Sequence, residues 1–84
     1  MSIYNTADAD TLGYKRGLES AIRAIKVEQE GAADSASYHY DQIKGGTLTG
    51  EAYNYHRARY DFYSGKNDAL LDSMRYIKKQ LKQF

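Results

Sequence analysis

The chain has 84 residues, of which 27% are charged, and its formal net charge is +1; it contains neither cysteine nor proline. Without cysteine it has no disulfide framework and no thiolate metal site, and a balanced charge argues neither for nor against nucleic acid. Its length allows a single domain (residues 1–84) with a thin core, a size at which chains often gain stability by forming oligomers.

The first half of the chain has the spacing of a long amphipathic helix, which we expect over residues 6–44, after a flexible tail of residues 1–5. Thr6 is a suitable N-cap, and the lack of proline permits a helix of this length. Gly31 interrupts the pattern, so the sequence predicts either one helix kinked there or two helices with a short break. The inner stripe of this half recurs every three or four residues: Tyr14, Leu18, Ala21, Ile22, Ile25, Gln29, Ala32, Ala36, Tyr40 and Ile43.

The clearest turn in the sequence lies at residues 45–48, where Gly45 and Gly46 can adopt the left-handed conformations that end a helix. A second helix is predicted over about residues 49–83, with Thr47 or Thr49 as its cap. Gly65 is its one weak point and could divide it into two helices. Its inner stripe is unbroken and consists of Tyr53, His56, Tyr60, Tyr63, Asn67, Leu70, Met74, Ile77, Leu81 and Phe84.

The two stripes complement each other when the chain is folded at this turn. Small residues of the first helix, such as Ala32 and Ala36, then lie opposite large tyrosines of the second, which favours close packing. Gln29 and Asn67 are expected to form a polar layer of the kind that fixes register. The predicted fold is therefore all-α, an antiparallel helical hairpin of two long helices.

A second stripe on the later helix would remain exposed in such a hairpin, and Tyr38 of the first helix adds to it. Several exposed aromatic side chains in one row are unusual without a partner to cover them. Two alternatives follow: a homodimer that forms a four-helix bundle, or a docking surface for a different macromolecule. The candidate partner-binding residues are Tyr38, Tyr55, Arg57, Arg59, Phe62 and Lys66.

His39 and His56 are placed to face each other across the hairpin. The spacing of known metal and catalytic motifs is missing, because each helix supplies a single imidazole. We therefore predict that the two histidines are polar residues at the rim of a tyrosine cluster. No catalytic residue, metal or cofactor is expected, and the chain is predicted not to be an enzyme.

The run from Tyr53 to Tyr60 interleaves aromatic side chains with Arg57 and Arg59, as in surfaces that bind single-stranded nucleic acid. Nucleic-acid binding is therefore an alternative function. Glu51 and Asp61 offset the positive charge of this run, so the alternative ranks below a protein partner.

The favoured function is that of a small non-enzymatic protein–protein interaction module that acts stoichiometrically on a macromolecular partner. A short, cysteine-free, tyrosine-rich helical chain is similar to many small phage-encoded accessory proteins that inhibit a host machine by binding it. A purely structural homo-oligomeric bundle is a further alternative. No apolar run could span a membrane and no secretory signal is recognisable, so a cytoplasmic location is expected.

Overall fold

The structure is a computed structural model that describes the backbone of residues 2–84 and the side chains of residues 11–84. It consists of two helices, α1 (Ser2–Lys44) and α2 (Gly50–Leu81), which pack against each other along their lengths. Together they form a rod of 70 × 15 × 15 Å. The predicted all-α antiparallel hairpin is confirmed, and its predicted dimerisation stays a prediction.

Helix α1 begins earlier than the sequence indicated, because Ser2 rather than a residue near Thr6 is its first residue. Thr6 lies within the helix, so the prediction that it caps the N-terminus is wrong. The flexibility expected for residues 1–5 stays a prediction, and the side chains of that segment lie outside the described residues.

Both helices are continuous, and the breaks considered at Gly31 and Gly65 do not occur. A Cβ atom built at either glycine would meet nothing within 4 Å, so neither glycine is needed for a close approach of the two backbones. The local preference of glycine, worth about 1 kcal/mol per position, is outweighed by the packing of the helices on each other.

The connection between the helices depends on two glycines with positive φ. Gly46 has φ +74° and follows the end of α1, where the Gly46 N–H donates to the Ile43 carbonyl oxygen at 3.2 Å. Gly50, the first residue of α2, has φ +59°. Thr49 precedes it in extended conformation, and its side chain makes no capping hydrogen bond, contrary to the role considered for it.

The contact between α1 and α2 is thin. Ala32 and Met74 are the only hydrophobic residues with less than a tenth of their surface exposed in the described part of the chain. Most of the two predicted inner stripes is half-buried, as expected for two helices that cover only one side of each other. Tyr14, Tyr40, Tyr53 and Phe84 are exceptions, with between 39% and 57% of their surface exposed.

The register agrees with the predicted pairing. The Nε2 atom of Gln29 donates to Oδ1 of Asn67 at 2.8 Å, which confirms the polar layer. At the adjacent positions of both helices, Nζ of Lys66 lies 3.2 Å from a carboxylate oxygen of Glu28. These contacts join residues far apart in sequence and hold the middle of α2 at a fixed register against α1.

Candidate interaction surface

A pair of histidines lies at the centre of the aromatic half of the hairpin. The Nδ1 atoms of His39 and His56 are 2.8 Å apart, one imidazole coming from each helix. His39 is only 8% exposed, so the expectation that it lies at the rim is wrong. Position 39 is turned into the contact between the helices, whereas neighbouring Tyr40, which the predicted stripe contained, lies at the edge of this contact and is 47% exposed.

The two histidines are surrounded by tyrosine rings. The ring of Tyr63 stacks on His39 with a centroid distance of 5.9 Å and an interplanar angle of 5°. Tyr38 and Tyr55 meet both imidazoles edge to face, with centroid distances between 5.0 and 6.1 Å. Such edge-to-face and offset arrangements are the favourable ones for aromatic pairs. The histidine pair therefore supports the outer tyrosines from beneath.

Four residues form what we call the aromatic face: Tyr38, Tyr55, Arg59 and Phe62. Tyr38, Tyr55 and Phe62 are 56%, 53% and 60% exposed. Phe62 joins the cluster through Tyr63, whose ring lies 5.1 Å away, and Arg59 lies over the ring of Tyr55 at 5.3 Å. The structure thus brings these predicted residues together on one side of the hairpin.

Lys66 lies one turn beyond Phe62 on the same side of α2, and its charge is paired with Glu28 of α1. Arg57 is not part of this surface. Residues two positions apart on a helix differ in direction by about 200°, so Arg57 and Tyr55 point to opposite sides of α2. Arg57 lies 3.5 Å from the carboxylate of Asp61.

The opposite side of the hairpin has its own, smaller aromatic contact. Tyr40 and Tyr60 have a centroid distance of 5.7 Å, and Arg57 lies 5.8 Å from the centre of the Tyr60 ring. An open groove of about 460 Å³ runs beside them towards Asn67 and Asp68. The arginines at 57 and 59, which the sequence placed in one nucleic-acid-binding run, are therefore divided between two sides.

The row of exposed residues on α2 continues beyond Lys66, which the sequence analysis missed. Ala69, Ser73 and Tyr76 follow at spacings of three, four and three, and all are exposed, Tyr76 by 65%. An open groove of about 580 Å³ lies here, lined by Ile25, Asp72, Ser73, Tyr76 and Ile77. The signal was the same spacing that identified Tyr55 and Phe62, but small residues at 69 and 73 concealed it.

The described part of the chain holds no group of three or more histidine, cysteine or acidic side chains that could bind a metal ion. Neither helix, over its described residues, has the length and hydropathy needed to cross a membrane. Compared with protein-family models, with curated proteins and with solved structures, the chain gives no match.

Proposed function

We propose that this chain is a non-enzymatic protein–protein interaction module that binds a helix of another protein chain through the aromatic face. The observation that carries the proposal is the exposure of Tyr38, Tyr55 and Phe62 in one connected cluster. Complete burial of a large apolar side chain yields about 1.5–3 kcal/mol, and slightly more than half of each ring is still exposed, so covering all three offers a partner a few kcal/mol.

The cluster is held in place before any partner arrives. Tyr55 contacts both histidines, and His39 is itself buried and hydrogen-bonded to His56. Side chains that are already ordered lose little conformational entropy on binding, which raises affinity. Tyrosine and arginine are also the residue types enriched at binding hot spots, and Arg59 lies beside Tyr55 in this manner.

A helix is the expected binding element of the partner because the exposed residues of α2 recur at alternating spacings of four and three. This spacing is that of a coiled-coil seam, which accepts side chains of one facing helix between its own. The seam runs along the outer side of α2 and is edged by Tyr38 of α1.

The test compares the wild-type chain with a Tyr55→Ala/Phe62→Ala variant as tagged baits. Tyr53→Ala is the matched control, since it removes an exposed tyrosine of the same helix on the side of Tyr60. A protein captured by the wild type and by Tyr53→Ala, but lost from the double variant, supports the proposal. Circular dichroism checks that all three chains remain helical.

The proposal fails if the double variant captures the same proteins as the wild type with equal affinity. The face would then be exposed without serving as a docking surface.

The other predicted functions have less support. The division of Arg57 and Arg59 between two sides leaves each tyrosine cluster with one arginine, a small positive surface for single-stranded nucleic acid. The likeness to phage-type inhibitors rests on size and composition, and it stays a prediction, as does the cytoplasmic location.

A further inference from the structure

The seam on the outer side of α2 is longer than the aromatic face. The inference drawn from it rests on the docking role proposed above. The members of the seam alternate in spacing between four and three, and all are exposed except Gln80, which is half-buried. We call it the outer seam, and it consists of Tyr55, Arg59, Phe62, Lys66, Ala69, Ser73, Tyr76 and Gln80. A seam of this length fits one helix over most of α2.

The outer seam is complementary to itself when it is reversed. An antiparallel pairing about a two-fold axis between Lys66 and Ala69 uses every position of it. Each large or charged residue then meets a small, polar or aromatic one across the axis. The facing pairs are Phe62 with Ser73, Lys66 with Ala69, Arg59 with Tyr76, and Tyr55 with Gln80.

The most exposed aromatic ring of the aromatic face can be paired with an open groove on the same side of α2. Phe62 projects with 60% of its surface exposed, and the groove of about 580 Å³ is lined by Ser73 together with Ile25, Asp72, Tyr76 and Ile77. We propose that α2 packs antiparallel against α2 of a second copy of the chain, with Phe62 of each copy inserted in the groove at Ser73 of the other.

The charges of the outer seam agree with this arrangement. Arg59 faces the ring of Tyr76 in the second copy, where a guanidinium is attracted to the aromatic face. The two Lys66 residues come near each other at the axis, and like charges would repel there. Glu28 lies 3.2 Å from Lys66 and compensates that charge within each hairpin.

The exposed area of the hairpin is large enough to contain such an interface. The chain exposes 6365 Å², whereas a compact monomer of 9.6 kDa exposes about 5,100 Å². The difference of about 1,300 Å² exceeds the roughly 800 Å² that each partner contributes to a standard interface. A four-helix arrangement would also give Phe62 and Tyr76 the cover that a two-helix hairpin cannot provide.

Sedimentation equilibrium of the purified wild-type chain tests the proposal, and a dimer is expected. Phe62→Ala removes the inserted ring, and Ser73→Arg fills the groove without disturbing the contact between α1 and α2, because Ser73 is exposed. Each change should raise the dimer dissociation constant at least tenfold. Tyr53→Ala, on the other side of the hairpin, should leave it unchanged.

Cross-linking tests the register, since the chain has no cysteine of its own. Lys66→Cys and Ala69→Cys chains, mixed and joined with a short bismaleimide, should give mainly the mixed product. A preference for either like pair, or no product, overturns the antiparallel register.

A wild-type chain that stays monomeric at millimolar concentration overturns the proposal, as does a dimer unaffected by both seam variants. The docking role is judged by a separate result. If the chain is monomeric, binds another protein and loses that binding in the Tyr55→Ala/Phe62→Ala variant, the proposed dimer is excluded and the docking role stands.

Discussion

The Nδ1 atom of His39 lies 2.8 Å from Nδ1 of His56, so one ring donates a hydrogen and the other accepts it with its lone pair. Two neutral imidazoles of opposite tautomer satisfy this contact, whereas two protonated rings would place like charges in hydrogen-bond contact. Burial lowers the pKa of His39 from its ordinary value of 6.5, and the nearby charges of His56 and Arg59 lower it further.

We therefore expect the hairpin to lose stability in mildly acidic solution. Since the pKa of His39 is lower in the folded chain, the unfolded chain binds more protons below about pH 6.5. The free energy of unfolding should be constant above that pH and fall as the pH drops from 6.5 through the lowered pKa of His39. Urea unfolding at about pH 7.5 and about pH 5.5, above the range where carboxylates titrate, measures this change.

His39 and His56 are the only histidines in the chain, which gives a direct control. A His39→Leu/His56→Leu variant replaces the polar pair with apolar side chains that do not titrate, and it should show a much smaller change between the two pH values. An equal loss of stability in both proteins would mean that other groups cause the pH dependence.

The Gln29–Asn67 hydrogen bond offers a test of how the register is maintained. Gln29→Leu leaves the half-buried Asn67 amide without its partner and should cost about 1 kcal/mol of the free energy of unfolding. Replacing both residues with leucine removes the unpaired group and adds apolar contact, so the double variant should exceed the single one in stability. Urea unfolding of the four chains forms a double-mutant cycle, and additive effects would contradict this coupling.

The spacing of apolar residues was sufficient to predict how the two helices pair. Gln29 opposite Asn67 and His39 opposite His56 follow from folding two regular helices about the Gly45–Gly46 turn, because the rise per residue is constant. This regularity also identified the exposed Tyr55 and Phe62.

The spacing did not predict features that depend on the rotation of a helix or on the balance between local glycine preference and helix packing. Whether position 39 or position 40 enters the contact is decided by a rotation of α1 of about 100°. The three- and four-residue spacing of the inner stripe favoured Tyr40 on sequence grounds. Only the hydrogen bond to His56 makes the burial of His39 acceptable. The continuity of α1 at Gly31 likewise depends on packing along the whole hairpin.

Met74 should be the most sensitive apolar side chain of α2, since it is 6% exposed. Met74→Ala removes buried surface and leaves a cavity, with an expected loss of about 2–4 kcal/mol in the free energy of unfolding. Val27→Ala is the matched control because Val27 is 73% exposed, and its effect should stay within about 0.5 kcal/mol. Thermal unfolding followed by circular dichroism compares the two; equal effects would contradict the thin core at Met74.

Glycine-to-alanine changes should have opposite signs in the helices and in the connection. Gly31 is helical with open space around its Cβ direction, so Gly31→Ala should stabilise the chain by about 0.5–1 kcal/mol by restricting the unfolded state. Gly50 has φ +59°, where an alanine Cβ is strained, so Gly50→Ala should destabilise it by about 1–2 kcal/mol. Urea unfolding of both variants checks the signs. A loss of stability on Gly31→Ala would mean that α1 is not continuous at this residue in solution.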